Sequence, residues 1–192
     1  MDAASRFDEG FLMATKIEDQ DQEESDSKLL QNLLNIMPEL ESLKVHNTSF
    51  HNQKKIRSFS LSHPCLSRIA FKACSLRNLT TDKIPNLKRV DLYSCDTLRL
   101  KLGCSSMKKL LLFECHAIYH GLIENVLQCC PDLQTISIRK CQLICGEIKV
   151  LRHPNLESIT VYSTDMPSFT MRDCPNLRQV LLQKIRPSIE NK

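Results

Sequence analysis

The 192 residues include 26 basic and 22 acidic side chains, with 42% hydrophobic and 25% charged residues, a balance that fits a folded protein and excludes wholesale disorder. A chain of this length holds one ordinary core or a short stack of repeats, not several domains. No run approaches the roughly 18–20 apolar residues needed to cross a bilayer, and the opening MDAASRFDEGFLMATK lacks the apolar stretch of a secretory signal. A cytoplasmic or nuclear location is therefore expected, with the ten cysteines read as reduced, buried thiols and not as disulfides.

Residues 1–28 hold nine acidic and three basic side chains. Residues 1–26, with the run EDQDQEESDS, are read as a solvated, disordered acidic leader ahead of a basic folded region spanning 27–186, and 187–192 as a tail. SKLLQNLLNIM follows. With Ser27 or Asp26 as its cap it places Leu29, Leu30, Leu33 and Leu34 on one face, which predicts a helix that caps what comes next.

From residue 37 onward one phrase recurs seven times: MPELESLKVHNT, HPCLSRIAFKAC, IPNLKRVDLYSC, CSSMKKLLLFEC, CPDLQTISIRKC, HPNLESITVYST and CPNLRQVLLQKI. The shared frame is x-P-x-L-x-x-L-x-L-x-x-C/T, with prolines at Pro38, Pro64, Pro85, Pro131, Pro154 and Pro175 and Ser105 in the fourth. The steps are 26, 21, 20, 26, 23 and 21 residues. L-x-L alternation makes a short strand with two side chains inward, and the leucine three positions earlier caps the same core from the incoming turn. No unit can bury these residues alone, so stacking is required, and the strands then pair in parallel.

The expected core column runs Leu40, Leu43, Val45; Leu66, Ile69, Phe71; Leu87, Val90, Leu92; Met107, Leu110, Leu112; Leu133, Ile136, Ile138; Leu156, Ile159, Val161; and Leu177, Val180, Leu182. Three residues past the second strand position lie Thr48, Cys74, Cys95, Cys115, Cys141 and Thr164, with Ile185 breaking the rule. A small side chain there fits a tight bend and can bond nearby backbone. The two long steps leave room for a helix, and HGLIENVLQCC gathers Leu122, Ile123, Val126 and Leu127 on one face. The short steps allow only a turn or an extended return, so an irregular convex side is expected there. Beyond Gln183 only KIRPSIENK follows, and a missing cap would leave the last unit open to dimerisation.

Periods of this size with an L-x-x-L-x-L-x-x-N/C core resemble the leucine-rich-repeat superfamily. The resemblance implies an α/β solenoid, an arc of about seven coils with a parallel concave β-sheet and a convex side that is irregular or short-helical. Within it, uneven repeats with C-P-x-L openings and a trailing cysteine, over residues 29–186, are similar to the repeats of plant F-box proteins that select substrates for ubiquitin ligases. The F-box itself is not recognised before Leu29, so this chain is not expected to dock the ligase adaptor. Phrases such as CPNLRQVLL and HPNLESITV are also similar to the C-terminal repeats of plant nucleotide-binding disease-resistance receptors, here with no G-x-x-x-x-G-K-S/T loop. Both resemblances imply a protein-binding recognition scaffold and no catalysis.

In such strands the residues flanking the inward pair face the concave side, where a partner docks. The candidate protein-binding face comprises Arg68, Lys72, Arg89, Asp91, Tyr93, Lys109, Leu111, Phe113, Arg139 and Tyr162. Arginine and aromatic side chains are the usual anchors of binding energy, and Leu111 beside Phe113 would otherwise cost solubility. The basic stripe is too modest, and too bare of recognised motifs, for nucleic acid to be the favoured partner. His116 and His120 near Cys115 lack the spacing of a zinc site, since no C-x-x-C pair accompanies them. Neither a Cys–His nucleophile set nor a G-x-S-x-G or H-E-x-x-H motif is present, so no cofactor, metal or catalytic residue is expected.

Overall fold

The computed structural model describes residues 23–46, 57–102, 104–116, 118–144, 147–163 and 168–184. Each L-x-L phrase forms a strand: β1 (Ser42–His46), β3 (Arg68–Lys72), β5 (Arg89–Tyr93), β7 (Lys109–Phe113), β9 (Thr135–Cys141), β12 (Ser158–Ser163) and β14 (Gln179–Lys184). These pair in parallel as one seven-stranded sheet in the order β1-β3-β5-β7-β9-β12-β14, so the chain is a parallel-strand solenoid. The register aligns like with like. Leu43, Ile69, Val90, Leu110, Ile136, Ile159 and Val180 form one inward column, and Val45, Phe71, Leu92, Leu112, Ile138, Val161 and Leu182 the other.

The side opposite this sheet is more ordered than expected. Return strands β2 (Arg57–Ser62), β4 (Ser75–Lys83) and β6 (Asp96–Lys101) pair in parallel as a second sheet, and β11 (Glu147–Leu151) pairs with β13 (Ser168–Arg172). A two-residue pair joins β8 (Ile118–Tyr119) to β10 (Leu143–Ile144). The irregular convex side is thus corrected to short β-ladders. The reason is stacking: once one side of each coil is in register, an extended return lies beside the next return, and its backbone groups pair there. Phe59, Leu61, Leu76, Leu79, Ile148 and Val150 from these strands enter the core, and the Phe59 ring meets Phe71 across it at 5.5 Å between centroids.

Helix α1 (Glu23–Asn35) starts ahead of the expected cap, and it buries Leu30 and Leu34, whereas Leu29 is exposed. Its Gln31 carboxamide donates to the Ser62 carbonyl at 2.9 Å and accepts from the Ser62 N–H at 3.0 Å. Gln31 so occupies the outer edge of β2 as a neighbouring strand would. The long step from Pro38 to Pro64 ends in strand β2, with residues 47–56 outside the described set. Helix α2 (His120–Cys129) takes the place of a return strand in the other long step, burying Leu122, Ile123 and Val126. No helix among the described residues is long and apolar enough to cross a membrane. The proposed leader, apart from its last residues in α1, and the proposed tail lie outside the described residues, as do Thr48, Thr164 and Ile185.

Three side-chain ladders register the coils. The asparagines after Pro85, Pro154 and Pro175 reach back one coil: Asn86 Nδ2 donates to the Pro64 carbonyl at 2.7 Å, Asn155 to that of Pro131 at 3.1 Å and Asn176 to that of Pro154 at 2.7 Å, and Ser106, at the same place after Ser105, puts its Oγ on the Pro85 carbonyl at 2.6 Å. The cysteine slot forms the second. Cys74, Cys95, Cys115 and Cys141 close their own bends by donating to the carbonyls of Lys72, Tyr93, Phe113 and Arg139, two residues back, at 3.2–3.5 Å, and Cys95 and Cys115 also reach the Phe71 and Leu92 carbonyls of the preceding coil at 3.5 Å. Hydrogen bonding with Cys74 and then burial push the Cys95 thiol up from its ordinary range, as hydrogen bonding with Cys115 and burial do for Cys141, so both stay protonated donors. In the sixth coil the ladder shifts at Tyr162 and Ser163, bringing Ser163 against Cys141, where its hydroxyl donates to the Cys141 carbonyl at 2.7 Å.

The third ladder uses histidines preceding proline. His63 Nε2 lies 2.9 Å from the Met37 carbonyl and its Nδ1 accepts from Leu66 N–H at 3.1 Å. His153 Nε2 repeats the contact on the Cys130 carbonyl at 3.2 Å, but its Nδ1 is buried with no hydrogen-bond partner among the described residues. Burial lowers the His153 pKa below its ordinary 6.5, outweighing the opposing hydrogen bond to Cys130. The unfolded chain then binds the proton more readily, so this residue's contribution is complete above about pH 6.5 and is lost as pH falls through and below that value. Urea titrations at pH 7.5 and 5.0 should show the wild type losing more stability on acidification than His153→Gln, whose amide can still donate to Cys130. Equal losses would refute the assignment.

Candidate functional site

Alternation along each strand sends the residues between the inward columns to the other face of the sheet, and the parallel register turns them into three rows. The first reads Ser42, Arg68, Arg89, Lys109, Thr135, Ser158 and Gln179; the central row Lys44, Ala70, Asp91, Leu111, Ser137, Thr160 and Leu181; the third His46, Lys72, Tyr93, Phe113, Arg139, Tyr162 and Gln183. Among these positions six are lysine or arginine and one is acidic. All ten residues expected at the face therefore lie on one side of one sheet, within five consecutive strands.

Asp91 departs from its expected role as a contact residue. It is 0% exposed, because the long side chains of Arg68 and Arg89 close over it. Arg68 donates to Asp91 Oδ2 through Nη2 at 2.7 Å and Nε at 3.0 Å, and Arg89 Nε donates to Oδ1 at 2.8 Å and Oδ2 at 2.9 Å. The two guanidinium side chains remain 38% and 37% exposed. Hydrogen bonding to Asp91 raises the Arg89 pKa further above its ordinary value. Asp91 thus orients two register-paired arginines that would otherwise repel, while their side chains stay more than a third exposed. Ala70 and Thr160 in the central row are also buried, covered by the same crowding of longer flanking residues.

The third row is a stack of aromatic and cationic groups. Tyr93 and Phe113, paired on adjacent strands, lie 6.3 Å apart between ring centroids at a 50° tilt. Lys140 Nζ sits 5.4 Å over the Phe113 ring and is itself 3.3 Å from Glu114 Oε1, and Arg139 lies 5.7 Å over Tyr162. Each contact restricts a side chain that would otherwise lose freedom on binding. Leu111 and Phe113 are half-buried, and Lys72, Lys109 and Arg139 are exposed.

The corner beyond the third row holds a feature with no sequence signature. Ala73, Ser94, Glu114 and Lys140 adopt left-handed backbone, with φ of 54°, 50°, 54° and 54°. None is glycine, so each position carries strain. It is offset by cross-coil bonds: the N–H of Ala73, Ser94 and Glu114 reaches the carbonyl of Tyr93, Phe113 and Arg139 in the next coil at 2.8–2.9 Å. At the far end of the face, Val180, Leu181 and Leu182 on β14 are 38–41% exposed. The expected core column therefore stops at Val161, since no further described strand covers the last one.

Cys115, considered with His116 and His120 for zinc, is buried with its thiol on the Phe113 and Leu92 carbonyls. No group of three or more metal-ligating side chains occurs among the described residues. Compared with models of protein families, with curated proteins and with solved structures, the chain gives no significant match.

Proposed function

We propose that this chain is a leucine-rich-repeat arc of seven coils that binds a protein partner on the outward face of its seven-stranded sheet and catalyses no reaction. The observation that carries the reading is the combination of fixed arginines, at Arg68 and Arg89, with the aromatic stack of Tyr93 and Phe113, on neighbouring strands of one ordered surface. Such groups dominate binding energy when their geometry is set in advance. The repeat phrases favour substrate selection of the kind made by F-box leucine-rich-repeat proteins in ubiquitin ligases. The disease-resistance reading rests on the same phrases, and the identity of the partner separates the two.

Affinity capture from plant cell extract, with wild type beside Leu111→Asp plus Phe113→Asp, tests the face directly. A protein retained by wild type and lost with the double variant is the expected result. Retention of the same proteins by both, with the variant folded by circular dichroism, would exclude this face.

A further inference from the structure

The outward face is chemically divided along its length. At the start of the strands Arg68, Arg89 and Lys109 stand side by side on β3, β5 and β7. At their ends the same strands carry Lys72, Tyr93 and Phe113. Neighbouring strands are about 4.8 Å apart, so the three cations span about 10 Å along the sheet, and the four-residue offset sets the two rows about 13 Å apart. Between them lies a strip whose central positions on β5 and β7 are the buried Asp91 and the half-buried Leu111. That strip is wide enough for one extended chain with its side chains.

Three observations narrow what such a chain would be. The only acidic group at the outward positions is Asp91, and it is closed off under two arginines. Arg68, Lys72, Arg89, Lys109 and Arg139 outnumber it on this face, which favours a negatively charged ligand. The Phe113 ring already carries Lys140 and Tyr162 carries Arg139, so one face of each ring is closed to a stacking nucleic-acid base. Leu111 between the rows favours an apolar contact that a phosphodiester backbone cannot supply.

We infer that the face binds an extended acidic peptide segment in which acidic and apolar residues alternate, laid across β3, β5 and β7 with its carboxylates on Arg68, Arg89 and Lys109 and its apolar side chains on Leu111, Tyr93 and Phe113. Alternation follows from geometry. In an extended chain successive side chains point to opposite sides, and those on one side recur every 6.6–7 Å or so, which places two carboxylates within the roughly 10 Å of the basic row. Exposed arginine N–H groups of Arg68 and Arg89 can donate charge-assisted bonds to a carboxylate. This inference rests on the protein-binding reading above and adds the class of segment recognised.

The test uses the full chain and a fluorescent acetylated decapeptide alternating glutamate with leucine, beside a peptide of the same composition with its glutamates and leucines in two blocks. Anisotropy titrations at 50 and 300 mM salt should show the alternating peptide binding about tenfold tighter than the blocked one, with affinity falling at high salt. Lys109→Glu, an exposed position outside the Asp91 cluster, should weaken binding about tenfold, and Phe113→Ser should weaken it while leaving the salt dependence intact. Lys109→Glu should keep the wild-type unfolding midpoint to within a few tenths molar urea, and Phe113→Ser, which gives up a half-buried ring contact with Tyr93, should still unfold cooperatively. Equal binding of the two peptides, indifference to both substitutions, or displacement of the peptide by oligothymidylate at lower concentration would each overturn the inference. If the alternating peptide fails while capture still yields a protein lost with the Leu111 and Phe113 double variant, the segment class is wrong and the protein-binding reading stands. If both fail, the face is not a protein site.

Discussion

Leu92→Ala is expected to destabilise the protein by about 2–5 kcal/mol, the range for truncating a closed core site. Leu92 is 0% exposed and lies in register between Phe71 and Leu112, both also buried. The Cys115 thiol rests on its carbonyl at 3.5 Å, so the backbone there is pinned and the cavity cannot close by simple collapse. In a solenoid each coil contacts only its neighbours, and weakening the third coil therefore loosens both halves of the array. The matched control is Val180→Ala on β14, where the residue is 41% exposed; its cost should stay below about 0.5 kcal/mol. Urea denaturation followed by circular dichroism measures both. Similar costs at the two positions would mean that burial in the column does not grade stability along the chain.

The contrast between these two positions marks how far the sequence could be read. The inward columns were legible because a period of two inside a longer period of about 20–26 residues leaves few ways to bury leucines. The seven strands and their parallel pairing follow from that pattern, as do α1 and α2 from their helical spacing. The return strands were missed although a signal was present: RSFSLS and EIKVL both alternate apolar with polar residues, but two or three such residues compete poorly with the reading of a short loop. The asparagines after Pro85, Pro154 and Pro175 were visible as repeated letters; their role, a donor for the preceding coil's proline carbonyl, requires knowing which carbonyl lies unpaired nearby.

At the candidate face, sequence alternation placed all ten residues on one side but gave no means to rank their exposure. Asp91 looked like one more outward polar group, because the covering of one side chain by two longer ones is a matter of rotamers and not of period. The left-handed residues Ala73, Ser94, Glu114 and Lys140 share no side-chain type, so nothing in their letters could reveal them. At Ala73, Ser94 and Glu114 the conformation goes with coil-to-coil hydrogen bonds from their own N–H groups.

Asp91→Ala should cost about 2–3 kcal/mol, the scale for losing hydrogen bonds to a buried charged group. The substitution removes the acceptor of four close contacts from Arg68 and Arg89 and leaves two like charges in register on adjacent strands. Because both guanidinium side chains are more than a third exposed, they regain water and the penalty stays below that of a fully buried broken pair. Arg68→Ala alone should cost about 1 kcal/mol or less, since Arg89 still partners the carboxylate. A double-mutant cycle between Arg68 and Asp91 should then return a coupling energy of about 1 kcal/mol, read from urea midpoints at constant slope. Added salt should recover part of the Asp91→Ala loss by screening the arginine pair. A fully stable Asp91→Ala protein would instead show that the arginines hold themselves, and any preorganisation of the proposed binding face would have to come from the sheet alone.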